Sequence, residues 1–131
     1  MSKPFPIDLI QKKIYSIRGK EVMLDSDLAN LYGVETFNLN KAVKRNIARF
    51  PKDFMFELTL EEFESLTFQT GISKPMGRGG RRFLPYVFTE QGVATLSGVL
   101  KSDQAVAMNI QVMRAFVAMR RFISSNAQVF Q

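Results

Sequence analysis

Neither cysteine nor histidine occurs among the 131 residues. The first absence removes disulfides and thiol chemistry. Together they remove the common zinc frameworks, so the core must hold by packing alone. They also remove the Ser/His/Asp and Cys/His constellations on which most hydrolytic mechanisms rest. Long apolar runs are missing too: charges interrupt the most apolar stretches well short of the roughly 18 residues a membrane span requires, and nothing resembles a signal peptide. These absences lead us to expect a cytoplasmic protein that is not an enzyme, with no membrane partner, no cofactor and no metal.

Acidic residues are missing from two further places. Between Phe37 and Lys52 stand five bases (Lys41, Lys44, Arg45, Arg49, Lys52) and no acid, and between Ser65 and Thr89 four more (Lys74, Arg78, Arg81, Arg82) and no acid. The intervening stretch, Asp53 to Glu64, holds five acids and no base. The chain carries a net charge of +6, with 18 Lys and Arg against 12 Asp and Glu. Two basic patches can present one sign of potential to a polyanion while the domain stays soluble. A moderately basic protein without an anionic partner has the same total charge, so the charge by itself does not decide. The length fits one domain with one hydrophobic core, and 46% hydrophobic against 23% charged residues is a globular balance.

Turn and cap signals divide the chain into short elements. "IYSIRGKEVML" (Ile14 to Leu24) places apolar runs on either side of Arg18-Gly19-Lys20 and predicts a hairpin. Asp25 is expected to cap a helix that Gly33 ends; Glu35 or Thr36 starts the next, and Pro51 is expected to stop it. "DFMFEL" alternates as a strand. Thr59 and Glu62 have capping-box spacing before a helix over 60–68. "TGISKPMGRGGRR" (70–82) reads as a loop, and "FLPYVF" as a strand whose Pro85 suggests a sheet edge. Thr89 caps a helix through Leu100, and after Lys101-Ser102 the longest helix runs from about 103 to 123. The predicted class is α+β: a helix-turn-helix-like pair braced by a small sheet, with a long apolar C-terminal helix.

The stretch "DSDLANLYGVETFNLNKAVKRN" (Asp25 to Asn46) carries the functional question. A helix-turn-helix needs a small residue within its first helix, a Gly or similar at the turn, and apolar anchors in the second. Ala29, Gly33, Val34, Leu39 and Val43 fill these slots, with Leu28 and Tyr32 in the core. On a helical wheel Leu39, Ala42, Val43, Ile47 and Phe50 share one face. The opposite arc holds Phe37, Asn38, Asn40, Lys41, Lys44, Arg45, Ala48 and Arg49. Asn can pair with adenine, and Arg or Lys with guanine or phosphate. Asn38, Asn40, Lys41 and Arg45 are therefore candidate base contacts, and Lys44 and Arg49 candidate phosphate contacts. Asn46 falls within the apolar face and is expected to make a structural hydrogen bond. Such spacing also arises in ordinary helical hairpins, and a basic helical face is often only solvated. The coincidence of small-residue turn, acid-free helix and Asn/Lys/Arg surface favours DNA.

Lys74, Arg78, Arg81 and Arg82, in the Gly-rich loop, are candidate phosphate or minor-groove contacts. The loop lacks both common nucleotide-binding glycine patterns. Glu61, Glu62 and Glu64 read as a solvated face plus a cap rather than as metal ligands. The C-terminal helix is apolar almost all round, with Val106, Ile110, Met113, Phe116, Val117 and Phe122 prominent. Residues 103–123 are thus either central to the core or a candidate homodimer surface.

The blocks "LDSDLANLYGV", "AVKRN..RFP.DF.F.LT" and "FTEQGVA.LS", in this order, resemble the phage-associated ORF-six N-terminal domain, a relative of the KilA-N group of phage and prophage antirepressor-like proteins. The resemblance covers about Ile14 to Arg121. It implies a double-stranded DNA-binding module, often joined to a different C-terminal domain, so this chain is expected to be the N-terminal module of a longer protein. By match, Asn40, Lys44, Arg45 and Asn46 fall in its "N.AVKRN" block and Arg81 and Arg82 in its "GGRR" block. The expected function is a DNA-binding domain of a phage-type transcription regulator or antirepressor. Its rival is a protein-interaction module that binds a repressor, or a C-terminal partner domain, through the apolar last helix. A third class, a metal-dependent nuclease using Glu61 or Glu64, fits least.

Overall fold

The computed structural model describes residues 7–70 and 84–126. The Gly-rich basic stretch with Lys74, Arg78, Arg81 and Arg82 lies outside the described residues. β1 (Tyr15–Ile17) and β2 (Lys20–Leu24) form the expected hairpin. Arg18 and Gly19 close it with φ of 55° and 76°, two successive left-handed residues whose twist matches that of the strands they join. The helix pair follows as α2 (Asp25–Tyr32) and α3 (Thr36–Arg45). A 3-10 turn (Ile47–Arg49), β3 (Met55–Glu57) and α4 (Leu60–Thr70) come next. β4 (Tyr86–Thr89), α5 (Glu90–Leu100) and α6 (Asp103–Ser125) complete the order. A short helix, α1 (Ile7–Gln11), precedes the hairpin. One and a half turns carry no readable periodicity, and α1 is held by burying Ile10 and packing on α6.

The sheet order is β1-β2-β4-β3, with every pair antiparallel. The two-residue strand period sorts its side chains between two cores. Met23, Phe88 and Met55, cross-strand neighbours, face a large core shared with α1, α2, α3, α5 and α6. Val22, Leu24 and Val87 face the other way and join Leu58, Phe63 and Leu66 beneath α4. The architecture is α+β, as predicted, with the sheet between α4 and the other helices.

Two local signals act as read. Thr59 and Glu62 close a reciprocal capping box, Thr59 N donating to Glu62 Oε1 at 2.8 Å and Glu62 N to Thr59 Oγ1 at 3.1 Å. Thr89 caps α5 by accepting from Gly92 N at 3.4 Å.

Four local expectations are corrected. β4 is interior, pairing with β2 and β3, because Pro85 stands one residue before it. There a missing N–H costs no ladder bond, and the proline carbonyl accepts from Leu58 N at 3.0 Å. Asp25 makes no cap hydrogen bond; it is the first residue of α2 and its carboxylate turns inward. α3 ends at Arg45 rather than at Pro51. Asn46 leaves the helix at φ −122°, and the 3-10 turn that follows breaks the wheel's phase. Ile47, placed by the wheel on the apolar face, is consequently 54% exposed. Phe50 still reaches the core, edge-on to Phe88 with ring centroids 5.9 Å apart.

Candidate nucleic-acid interface

The crossing of α2 and α3 is set by small and apolar residues in the slots expected from sequence. Leu28, Ala29, Tyr32, Leu39 and Val43 are all buried, and Val34 packs against them from the turn. Gly33 takes φ 74°. Gly33 N donates to Asn30 O at 3.3 Å and Val34 N to Ala29 O at 3.0 Å, the bond pair of a Schellman ending, which favours a residue without Cβ.

A clamp from α6 holds this turn, and sequence reasoning missed it. Gln104 Nε2 donates to Leu31 O at 3.3 Å, and the Gln104 side chain lies so close to Gly33 that a Cβ there would come within 2.7 Å of it. Further along α6, Asn109 Oδ1 accepts from the Tyr32 hydroxyl at 3.1 Å, and burial pushes the pKa of that hydroxyl up. The partners are more than seventy residues apart, so no local pattern could reveal them.

The second polar tie is Asp25. It is only 4% exposed, and its Oδ2 accepts from Asn40 Nδ2 at 2.9 Å and from Tyr86 N at 3.3 Å. One carboxylate thus joins the start of α2, the middle of α3 and the start of β4. Next to it, burial raises the pKa of Asp27; Lys13, with Nζ 3.9 Å away, opposes the rise and Asp25 adds to it.

The structure distributes the predicted site residues as follows. Asn38, Lys41, Lys44, Arg45 and Arg49 are all exposed, and none of the four bases makes an ion pair with a described residue. Phe37, at the start of α3, is 69% exposed, and Lys41 Nζ sits 5.5 Å from its ring centroid. Asn40 differs from its expected place at a base edge. It is half-buried, its amide nitrogen donates to Asp25, and its buried Oδ1 has no partner among the described residues. Asn46 behaves as expected, its Nδ2 donating to Ala42 O at 2.9 Å. Lys74, Arg78, Arg81 and Arg82 lie outside the described residues.

One flank of α3 also lines a groove of about 460 Å³ whose other wall includes Met55, Pro85 and Tyr86. On the far side of the molecule's sheet, Glu62 is committed to structure. Arg18 Nε donates to its Oε2 at 2.7 Å and Nη2 to its Oε1 at 2.9 Å, while the guanidinium stacks 4.2 Å from the Phe56 ring centroid.

A family model for the ORF6N domain matches residues 12–99. The chain belongs to the ORF6N domain family. The match spans the hairpin, the helix pair, the sheet and α5 nearly to its end, while α6 of this ORF6N domain follows it. No curated protein and no solved structure matches the chain. Among the described residues, no helix is long and apolar enough to cross a membrane.

Proposed function

We propose that this ORF6N domain is the DNA-binding domain of a phage- or prophage-type regulator or antirepressor, and that α3 enters the major groove of double-stranded DNA. The observation that carries the reading is the outward face of α3. Lys41, Lys44 and Arg45, with Arg49 on the 3-10 turn that follows, stand exposed without acidic partners among the described residues, on a helix fixed by the Gly33 turn, Asp25 and α6. Exposed cations on a rigid helix can neutralise phosphates and release counterions without first breaking ion pairs of their own. Asn38, Lys41 and Arg45 are the candidate base readers, and Lys44 and Arg49 contact phosphate. Lys74, Arg78, Arg81 and Arg82 would add backbone contacts. Asn40 holds the helix in place rather than reading a base, because its Oδ1 is buried and one N–H of its amide is held by Asp25. The reading involves no catalysis.

The test is fluorescence anisotropy with random-sequence duplex at several salt concentrations, comparing the native chain with Lys44→Glu/Arg45→Glu, whose fold is verified by circular dichroism. A steep salt slope that shrinks in the double variant supports the reading. Absent binding at low salt, or binding unchanged in the variant, rejects it. A second reading, a module that binds a repressor through α6, draws on the exposed Val106 and Ile110 and would show weak salt dependence.

A further inference from the structure

The long helix α6 has two apolar faces, and the fold uses only one. Ala105, Val112, Ala115 and Phe116 are buried against the core, where α6 packs on α1, α2 and α5. On the outer side Val106 and Ile110 remain 52% and 50% exposed, and their line continues through Val117, half-buried, and Met113, which is half-buried because it also packs against the core at the edge of the stripe. The intervals along that line are four, three and four residues, the repeat of a helix that pairs with another helix. Read from either end, the spacing is the same, so the stripe superimposes on itself when the helix is reversed.

The charges beside the stripe select the occupant. Asp103, exposed at the start of α6, and Arg121, also exposed near its end, are separated by about five full turns and stand on one meridian. Neither makes an ion pair with a described residue; the neighbouring Arg120 is already engaged by Glu90. In a parallel pair Asp103 would lie level with Asp103 and Arg121 with Arg121, about five turns from the opposite charge, and the two could form no contact with each other. In an antiparallel pair centred near Val112, each Asp103 faces the other copy's Arg121, Val106 meets Val117, and Ile110 meets Met113. Arg114, on the same flank, then falls opposite the small, exposed Ala107. A two-fold interface requires this self-complementarity, residue i meeting j while j meets i, and flanking charges fix orientation and partner. Antiparallel packing also sets the two helix dipoles head to tail.

We propose that the outer face of α6 is a docking surface for a second copy of this chain, bound antiparallel through Val106, Ile110, Met113 and Val117 and oriented by Asp103 and Arg121. The proposal does not rest on the DNA-binding reading, and its test contains no DNA, so either can fail alone.

Sedimentation equilibrium over a range of protein concentrations, on the full chain, is the measurement. The native chain should show a concentration-dependent dimer. Ile110→Glu should abolish it without changing the circular dichroism spectrum, because the residue is half in solvent. Asp103→Arg and Arg121→Asp should each weaken the dimer by about tenfold, since two symmetric contacts become repulsive at once. Their combination, which restores the pairing with reversed sign, should recover most of the native affinity. A chain that stays monomeric throughout, a dimer indifferent to Ile110→Glu, or charge reversals whose effects add rather than cancel would each overturn the proposal; the first is also the outcome if a different protein covers this face.

Discussion

The side-chain amide of Asn40 donates to the carboxylate of Asp25 at 2.9 Å, inside the angle between the two helices of the helix-turn-helix. The same carboxylate oxygen receives the backbone N–H of Tyr86 at 3.3 Å. The placement of α3 relative to the sheet is thereby fixed by a buried polar group as well as by the apolar packing of Leu39 and Val43. A buried hydrogen-bonded charge is costly to strand, so the contact resists any rotation of α3 that would part the two residues.

Removing either partner should therefore cost more than one hydrogen bond. We expect Asp25→Ala and Asn40→Ala each to lower stability by about 1–3 kcal/mol, the second because it leaves the Asp25 carboxylate short of a donor. In a double-mutant cycle followed by urea denaturation, the two should couple by about 1 kcal/mol or more. Simple additivity would show that the pair does not act as a unit.

Gly92 and Gly98 lie in the same helix, α5, and should respond in opposite directions to alanine. A Cβ on Gly92 would collide with the carbonyl oxygen of Phe54, a backbone atom that Thr89 Oγ1 and Thr89 N also bond. No cheap movement relieves that clash, and Gly92→Ala should destabilise by about 2 kcal/mol or more. A Cβ on Gly98 meets nothing within 4 Å, so Gly98→Ala should stabilise by about 0.5–1 kcal/mol through the unfolded state. Thermal melts of the two variants give the comparison; equal shifts would mean that α5 does not approach Phe54 as described.

Where chemistry is local, the sequence is legible. The Arg18-Gly19 turn, the Thr59/Glu62 box, the Thr89 cap and the Gly33 helix end each depend on residues within a few positions of one another, and each is found. Pro85 misleads because proline's constraint depends on whether its missing N–H falls inside the ladder, which only the register decides. Ile47 misleads because a wheel assumes a constant twist, and Asn46 interrupts it. Within the site, the exposed bases of α3 follow from periodicity. The roles of Asp25, Gln104 and Asn109 do not, because their partners are distant in sequence or, for Asp25, resemble an ordinary helix cap.

The Arg18–Glu62 pair predicts an acid limb in the stability profile. Hydrogen bonding from Arg18, opposed by burial and aided by the Thr59 backbone N–H, lowers the Glu62 pKa from 4.5 to about 2. The folded value lies below the unfolded one. The pair's contribution is thus fully present above pH 4.5 and is lost as the pH falls from there toward about 2. The pair stands at the protein surface, with Arg18 exposed and Glu62 half-buried, so solvent screening keeps the effect modest. Glu62→Gln should flatten this part of a pH series of denaturation midpoints, and a carboxyl NMR titration of the native chain should place Glu62 well below the other glutamates. An ordinary titration would contradict the pairing.

Along α3 the two kinds of proposed DNA contact can be separated by their salt dependence. Lys44 is assigned to phosphate, so Lys44→Ala should weaken binding to every duplex alike and reduce the slope of log affinity against log salt by about one. Asn38 carries no charge and is assigned to a base edge. Asn38→Ala should leave that slope unchanged and reduce affinity for a selected site by about 1–3 kcal/mol relative to random duplex. Both side chains are exposed, so neither substitution should alter the melting temperature appreciably. If Asn38→Ala weakens selected and random duplexes equally, the α3 face binds DNA as a charged surface and the sequence preference must come from elsewhere in the chain.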